Sequence, residues 1–218
     1  DADVTSFAVG NSIAKTVTVT YTAPAASGTG QNMPFTDVST GDWYYGSVYG
    51  AWKNKLISGA SETLYKPNNT LTVAETVKLS AALHQLQNNG QVTLTNGTPW
   101  YSTYVAYAVE HGIIEKEYLD YTPAQMHAPA SRTEFVHIFF GAMNDYEVLN
   151  DIADDQIPDV KMGDKYASEI YTFYRAGILT GSGSSGVFNP SSTIKRSEAA
   201  AILNRMFDAS TRKSFTLS

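Results

Sequence analysis

Two arginines stand one residue inside a helix-start signal, and there the chain's most specific chemistry is expected. They occur in Ser131-Arg132-Thr133-Glu134 and Lys195-Arg196-Ser197-Glu198; the matching segment of an earlier copy is Thr72-Val73-Ala74-Glu75. A hydroxyl at the N-cap and a Glu three residues on form a capping box that satisfies two otherwise unbonded amides. Thr72 with Glu75 and Ser131 with Glu134 fit it. Lys195 lacks the hydroxyl, so Glu198 has a poorer cap there, or Thr193 substitutes. A helix N-terminus carries free N–H groups and partial positive charge. An adjacent Arg adds a forked donor that suits a carboxylate. Arg132 and Arg196 therefore read as anion sites. An isolated Arg more commonly pairs with a neighbouring acid such as the N3 Glu; recurrence in two copies favours the ligand.

A second candidate set is aromatic: Trp43, Tyr44, Trp100, Tyr101 and Tyr166 near the starts of predicted helices. Flat apolar faces with a polar edge suit sugar rings, and they equally suit helix packing. Catalytic signatures are missing: no P-loop, HExxH or GxSxG occurs. His84, His111, His127 and His137 form no i, i+4 pair on one predicted helix face and read as core or surface residues. The acids around Asp151, Asp154, Asp155 and Asp159 lack the alternation of a calcium loop and read as a solvated connector. Gly181–Gly186 has no strand before it and no GK[ST] after it, and reads as a flexible loop rather than a phosphate cradle.

The elements that must position these residues repeat along the chain. Asp37-Val38 matches Asp159-Val160, Gly59 matches Gly181, Pro67 matches Pro190 and Glu75 matches Glu198. Pro67 and Glu75 are 8 residues apart, as are Pro190 and Glu198. A weaker middle copy shares Gly112-Ile113-Ile114 with Gly177-Ile178-Leu179. Self-similarity at such a period marks a repeat architecture. Each copy reads as helix, loop, helix. First helices carry Tyr44, Val48, Trp52 and Leu56, or Ile170, Phe173 and Tyr174, at helical spacing. Second helices are apolar nearly all round, as in Phe135 to Phe140 and Ala199 to Leu203, so they should be buried together. First helices and loops would then project as lobes. Residues 14–22 alternate Val17, Val19, Tyr21 with Thr16, Thr18, Thr20 and read as a short N-terminal β-strand; residues 23–32 read as a linker.

Composition bounds the partners. The 218 residues are 43% hydrophobic and 17% charged, enough to bury a core. A net charge of −6 argues against nucleic acid and anionic membrane. No Cys is present, which excludes disulfides and thiolate metal sites. No apolar run approaches a membrane span. The chain begins at Asp1 without a signal peptide and reads as a piece of a longer exported protein.

FTDV, then Trp, then an apolar helix ending LISG, then YKP and TVAE, resembles the S-layer homology signature, and SRTE and KRSE resemble that family's TRAE-type motif. The resemblance covers roughly residues 34–210. It implies a mainly α fold: three helix–loop–helix repeats in a pseudo-threefold arrangement around a central three-helix bundle. The expected division is 1–30 for an upstream β-domain remnant and linker, then repeats at 31–92, 93–150 and 151–218. It further implies non-covalent anchoring to the bacterial cell wall or S-layer. Grooves between repeats would bind secondary cell-wall polysaccharide bearing pyruvylated N-acetylmannosamine, without catalysis and without a cofactor or metal. The landmarks Asp37, Asp159, Gly59 and Gly181 complete the candidate ligand-binding set. Val73 departs from the motif Arg, so at most two strong grooves are expected. The alternative is an assembly module with lattice neighbours. A cell-wall glycan hydrolase ranks last, because the motif glutamates are better used as caps.

Overall fold

A computed structural model describes residues 33–143, 145–183 and 185–217. The expected strand at 14–22 and the linker lie outside them. The described residues are mainly helical: α1 (Tyr45–Lys53), α2 (Val73–Asn89), α3 (Ser102–Glu110), α4 (Pro123–Met126), α5 (Arg132–Phe140), α6 (Ala167–Arg175) and α7 (Arg196–Phe207), with 3-10 turns at Lys116–Asp120 and Ala209–Thr211.

The starts of α2, α5 and α7 are tied into a ring. Leu71 N–H donates to the Ile194 carbonyl (3.1 Å), Ile194 N–H to Ala130 (3.4 Å) and Ala130 N–H to Leu71 (2.9 Å). The residue two before each N-cap pairs with an N-cap from another segment: Thr70 with Lys195, Pro129 with Thr72, and Thr193 with Ser131. Ring bonds of this kind satisfy backbone groups that a buried helix start would leave orphaned. The three side chains at the ring, Leu71, Ala130 and Ile194, are buried.

Among the three second helices only α2 has both halves of the capping box: Thr72 Oγ1 accepts from Glu75 N–H, and Glu75 Oε2 accepts from Thr72 N–H (2.9 Å). At α5 Ser131 Oγ accepts from Glu134 N–H (3.1 Å) without the reciprocal bond, so the expected box is half formed. At α7 Glu198 Oε2 accepts from Lys195 N–H (2.9 Å), and the ammonium of Lys195 has no lone pair to return the bond. Thr193 pairs with Ser131 in the ring.

The first helices do not pack on their own partners. In this structure α1 lies against α7, α3 against α2, and α6 against α5. Val48 and Ala51 bury α1's inner face. Gly50 faces α7, where an added Cβ would stand 2.8 Å from Asn204 Oδ1 and push that side chain aside. Ile170, Phe173 and Tyr174 bury α6. The second helices meet one another unequally, and the Arg132–Glu198 ion pair joins α5 to α7. Helix α2 packs on α5, where Ser80 Oγ donates to the Ile138 carbonyl (2.8 Å), and touches α7. No close backbone approach joins α5 and α7 among the described residues. Helix α5 has only 9 residues, and its apolar faces are taken by α2 and α6.

Candidate functional site

Each motif Arg reaches out of its own segment. Arg196 Nε donates to the Tyr65 carbonyl (2.8 Å) and Nη2 to the Ser58 carbonyl (3.0 Å). Its guanidinium lies 4.7 Å over the Tyr65 ring and 3.7 Å from Glu75. Arg132 does the same one segment on: Nε donates to the Phe188 carbonyl (2.7 Å), Nη1 to Glu198 Oε1 (2.8 Å), and the guanidinium lies 5.3 Å over Phe188. The acid each Arg meets is an N3 Glu, but that of a different helix from its own. A guanidinium has five N–H donors, so these bonds leave donors over.

The cavity at Arg196 measures about 380 Å³. Ser58, Gly59 and Tyr65 from the first copy line it, with Glu75 and Lys78 of α2 and Trp100 from the start of α3. Lys78 Nζ lies 5.7 Å over Trp100 and 5.0 Å over Tyr104. Gln85 holds the preceding loop by accepting from Thr93 and Leu94 N–H, which sets Trp100 in place. Gly59 is required by close approach, because a Cβ would stand 2.6 Å from Phe35 and 2.8 Å from the Leu64 carbonyl.

The cavity at Arg132 measures about 270 Å³ and repeats this make-up: Thr180 and Gly181, Glu198 and Arg205 of α7, and Trp43 at the start of α1. Trp43 is 68% exposed, so it presents its face to solvent and not to a helix. Trp43–Tyr44 and Trp100–Tyr101 share one geometry, with centroids 5.4 and 5.5 Å apart and rings at 83° in both. Arg205 Nη1 donates to the Ile178 carbonyl (2.9 Å), and burial depresses its pKa. Each of these two cavities sets two cations against one carboxylate: Arg196 and Lys78 with Glu75, and Arg132 and Arg205 with Glu198. The balance favours an anion on a chain of net charge −6.

The third cavity, about 500 Å³, differs. It is lined by Glu115, Glu117, Glu134, Lys165, Tyr118, Tyr121 and Tyr166, with Ser131 and Thr133. Val73, buried at 2% exposure, stands at the motif-Arg position and adds no donor. Burial raises the pKa of the Glu134 carboxyl.

Asp37 and Asp159 are spent on the fold. Asp37 accepts from Tyr65 and Lys66 N–H (2.8 Å each), and Asp159 from Phe188 (2.8 Å) and Asn189 N–H (2.6 Å). They brace turns in which Lys66 and Asn189 hold a left-handed φ of 59°. Neither lines a cavity described here, nor does buried Tyr101 or half-buried Tyr44. Sequence reasoning passed over Tyr65, Phe188, Lys78 and Arg205. The aromatic two residues before Pro67 and before Pro190 was a usable signal for the first two.

The S-layer homology domain model matches residues 34–76 and 156–200. The chain is 25% identical over 189 residues to the exoglucanase XynX of Acetivibrio thermocellus, covering 83% of this chain and 17% of that protein. It is 27% identical over 164 residues to an amylopullulanase of Thermoanaerobacterium thermosulfurigenes, covering 71% of this chain and 8% of that protein. The chain thus spans less than a fifth of either relative. The matched segments hold both Asp-braced turns and the Glu75 and Glu198 that face the arginines. These two segments thus resemble S-layer homology domains, which are cell-wall anchoring modules.

Proposed function

We propose that the chain anchors a surface protein by holding secondary cell-wall polysaccharide in the grooves at Arg132 and Arg196, with no catalytic step. One observation carries this reading: the same constellation is built twice from three different segments. A motif Arg from one segment, a Ser/Thr-Gly loop and N3 Glu from the next, and a Trp from the one after converge in each groove. The ring of hydrogen bonds at Leu71, Ala130 and Ile194 supports a pseudo-threefold arrangement of the repeats, which would generate grooves of this kind. A sugar ring stacks on the Trp face, and an acidic substituent such as a pyruvyl ketal carboxylate meets the guanidinium and the second cation. The third groove, with three glutamates and no Arg in its lining, would repel that anion.

Sedimentation with native cell wall tests the proposal. The Arg132→Ala, Arg196→Ala double variant should lose at least tenfold in wall binding. The Trp43→Ala, Trp100→Ala variant, which keeps the arginine bonds, should lose a comparable amount. Wall binding equal to the parent in both folded variants overturns the assignment.

A further inference from the structure

His137 on α5 touches Glu115 and Tyr166, which line the third groove, and is bound at both ring nitrogens by carboxylates from different segments. Its Nε2 lies 2.9 Å from Glu115 Oε2, on the loop after α3. Its Nδ1 lies 3.1 and 3.2 Å from the two oxygens of Glu169 on α6. An ionised carboxylate only accepts, and a neutral imidazole has a single N–H. The geometry therefore fits the doubly protonated ring. Tyr166, at the start of α6, lies flat on the imidazole, with centroids 3.7 Å apart and planes 7° from parallel, as suits a cation over an aromatic face. Tyr166 takes a left-handed φ of 61° there, which a bulky residue seldom adopts.

We propose that Glu115, His137 and Glu169 form a pH-sensitive latch that ties the middle segment to α6, closed when His137 carries a proton and released when it loses it. The charged groups around it come from every element it touches: Glu115 on the loop, Glu134 on α5 itself, and Glu169 and Lys165 at α6. Glu115, Lys165 and Tyr166 also line the third groove, so the latch sets both its width and its charge. Release leaves one carboxylate facing a ring lone pair and makes the groove more negative.

Burial opposes the charge on His137, but the bonds to Glu169 and Glu115 outweigh burial and raise its pKa. Burial also pushes Glu115 up, and the His137 bond with backbone donation more than reverses this. A histidine raised in the folded state contributes stability that is fully present below about pH 6.5 and lost as pH climbs through the folded value. A carboxylate lowered in the folded state contributes above about pH 4.3 and loses it as pH falls through its own folded value. The latch is therefore closed in mildly acid solution and opens on the neutral-to-alkaline side.

Proton NMR of the His137 ring across pH 4.5 to 9, paired with urea unfolding at each pH, tests this. His137 should titrate above the free-histidine midpoint. Glu115→Gln, at a half-exposed carboxylate, should bring the midpoint down. The stability advantage of the parent over His137→Gln should shrink as pH rises past that midpoint, while His84, His111 and His127 cancel in the difference. A midpoint at or below the free value, one unmoved by Glu115→Gln, or a parent and His137→Gln difference constant with pH overturns the latch. Wall binding does not enter, so the outcome is independent of the anchoring proposal.

Discussion

Arg132 has two tasks that a single substitution cannot separate. Its side chain is 10% exposed and is bonded to Phe188 and Glu198, so part of its value is holding one segment against the next. Removing one member of a largely buried charge pair leaves the other without its partner, and that is the expensive change. Arg132→Met should cost about 2–4 kcal/mol of unfolding free energy in urea titration. Trp43 is different. It is 68% exposed and borders the same groove, so Trp43→Ala should cost no more than about 0.5 kcal/mol. If Trp43→Ala destabilised as much as Arg132→Met, Trp43 would be a packing residue and not a groove residue.

The helices differ most at their starts. Thr72 and Glu75 close a full box on α2, whereas α7 has only the glutamate half beneath Lys195. Thr72→Ala should lower stability by about 1 kcal/mol, and Lys195→Ser should raise it by about 0.5–1 kcal/mol by supplying the missing oxygen. Thermal melts of the two variants check both signs. Opposite or null effects would mean that the ring bonds already satisfy these helix starts without help from side chains. The second-helix starts were legible because the T/S-x-x-E spacing and the apolar run follow from local chemistry. The partner of each first helix was not. Periodicity shows that Val48 and Ile170 lie on a buried face, but not that they face α7 and α5. That choice is made by the ring, whose backbone bonds have no side-chain signature.

Across the whole molecule the copies are alike in frame and unlike in charge. Two grooves carry Arg, a second cation and Trp; the third carries three glutamates and Lys165, with no Arg in its lining. The loss of the motif Arg at Val73 was visible in the sequence, and so was the pairing of Arg132 with Arg196. What each groove borrows from the other two segments was not, since Trp100 and Arg196 stand 96 residues apart in the chain. The histidine bridge was invisible for the same reason: His137, Glu115 and Glu169 come from three separate elements. Titration calorimetry with a defined pyruvylated wall-glycan fragment, set beside the same fragment without pyruvyl groups, tests the anchoring account most directly. The account predicts binding at two sites per chain for the pyruvylated fragment and at least tenfold weaker binding without the acid. Equal affinity for both fragments, or no binding of either, would contradict it.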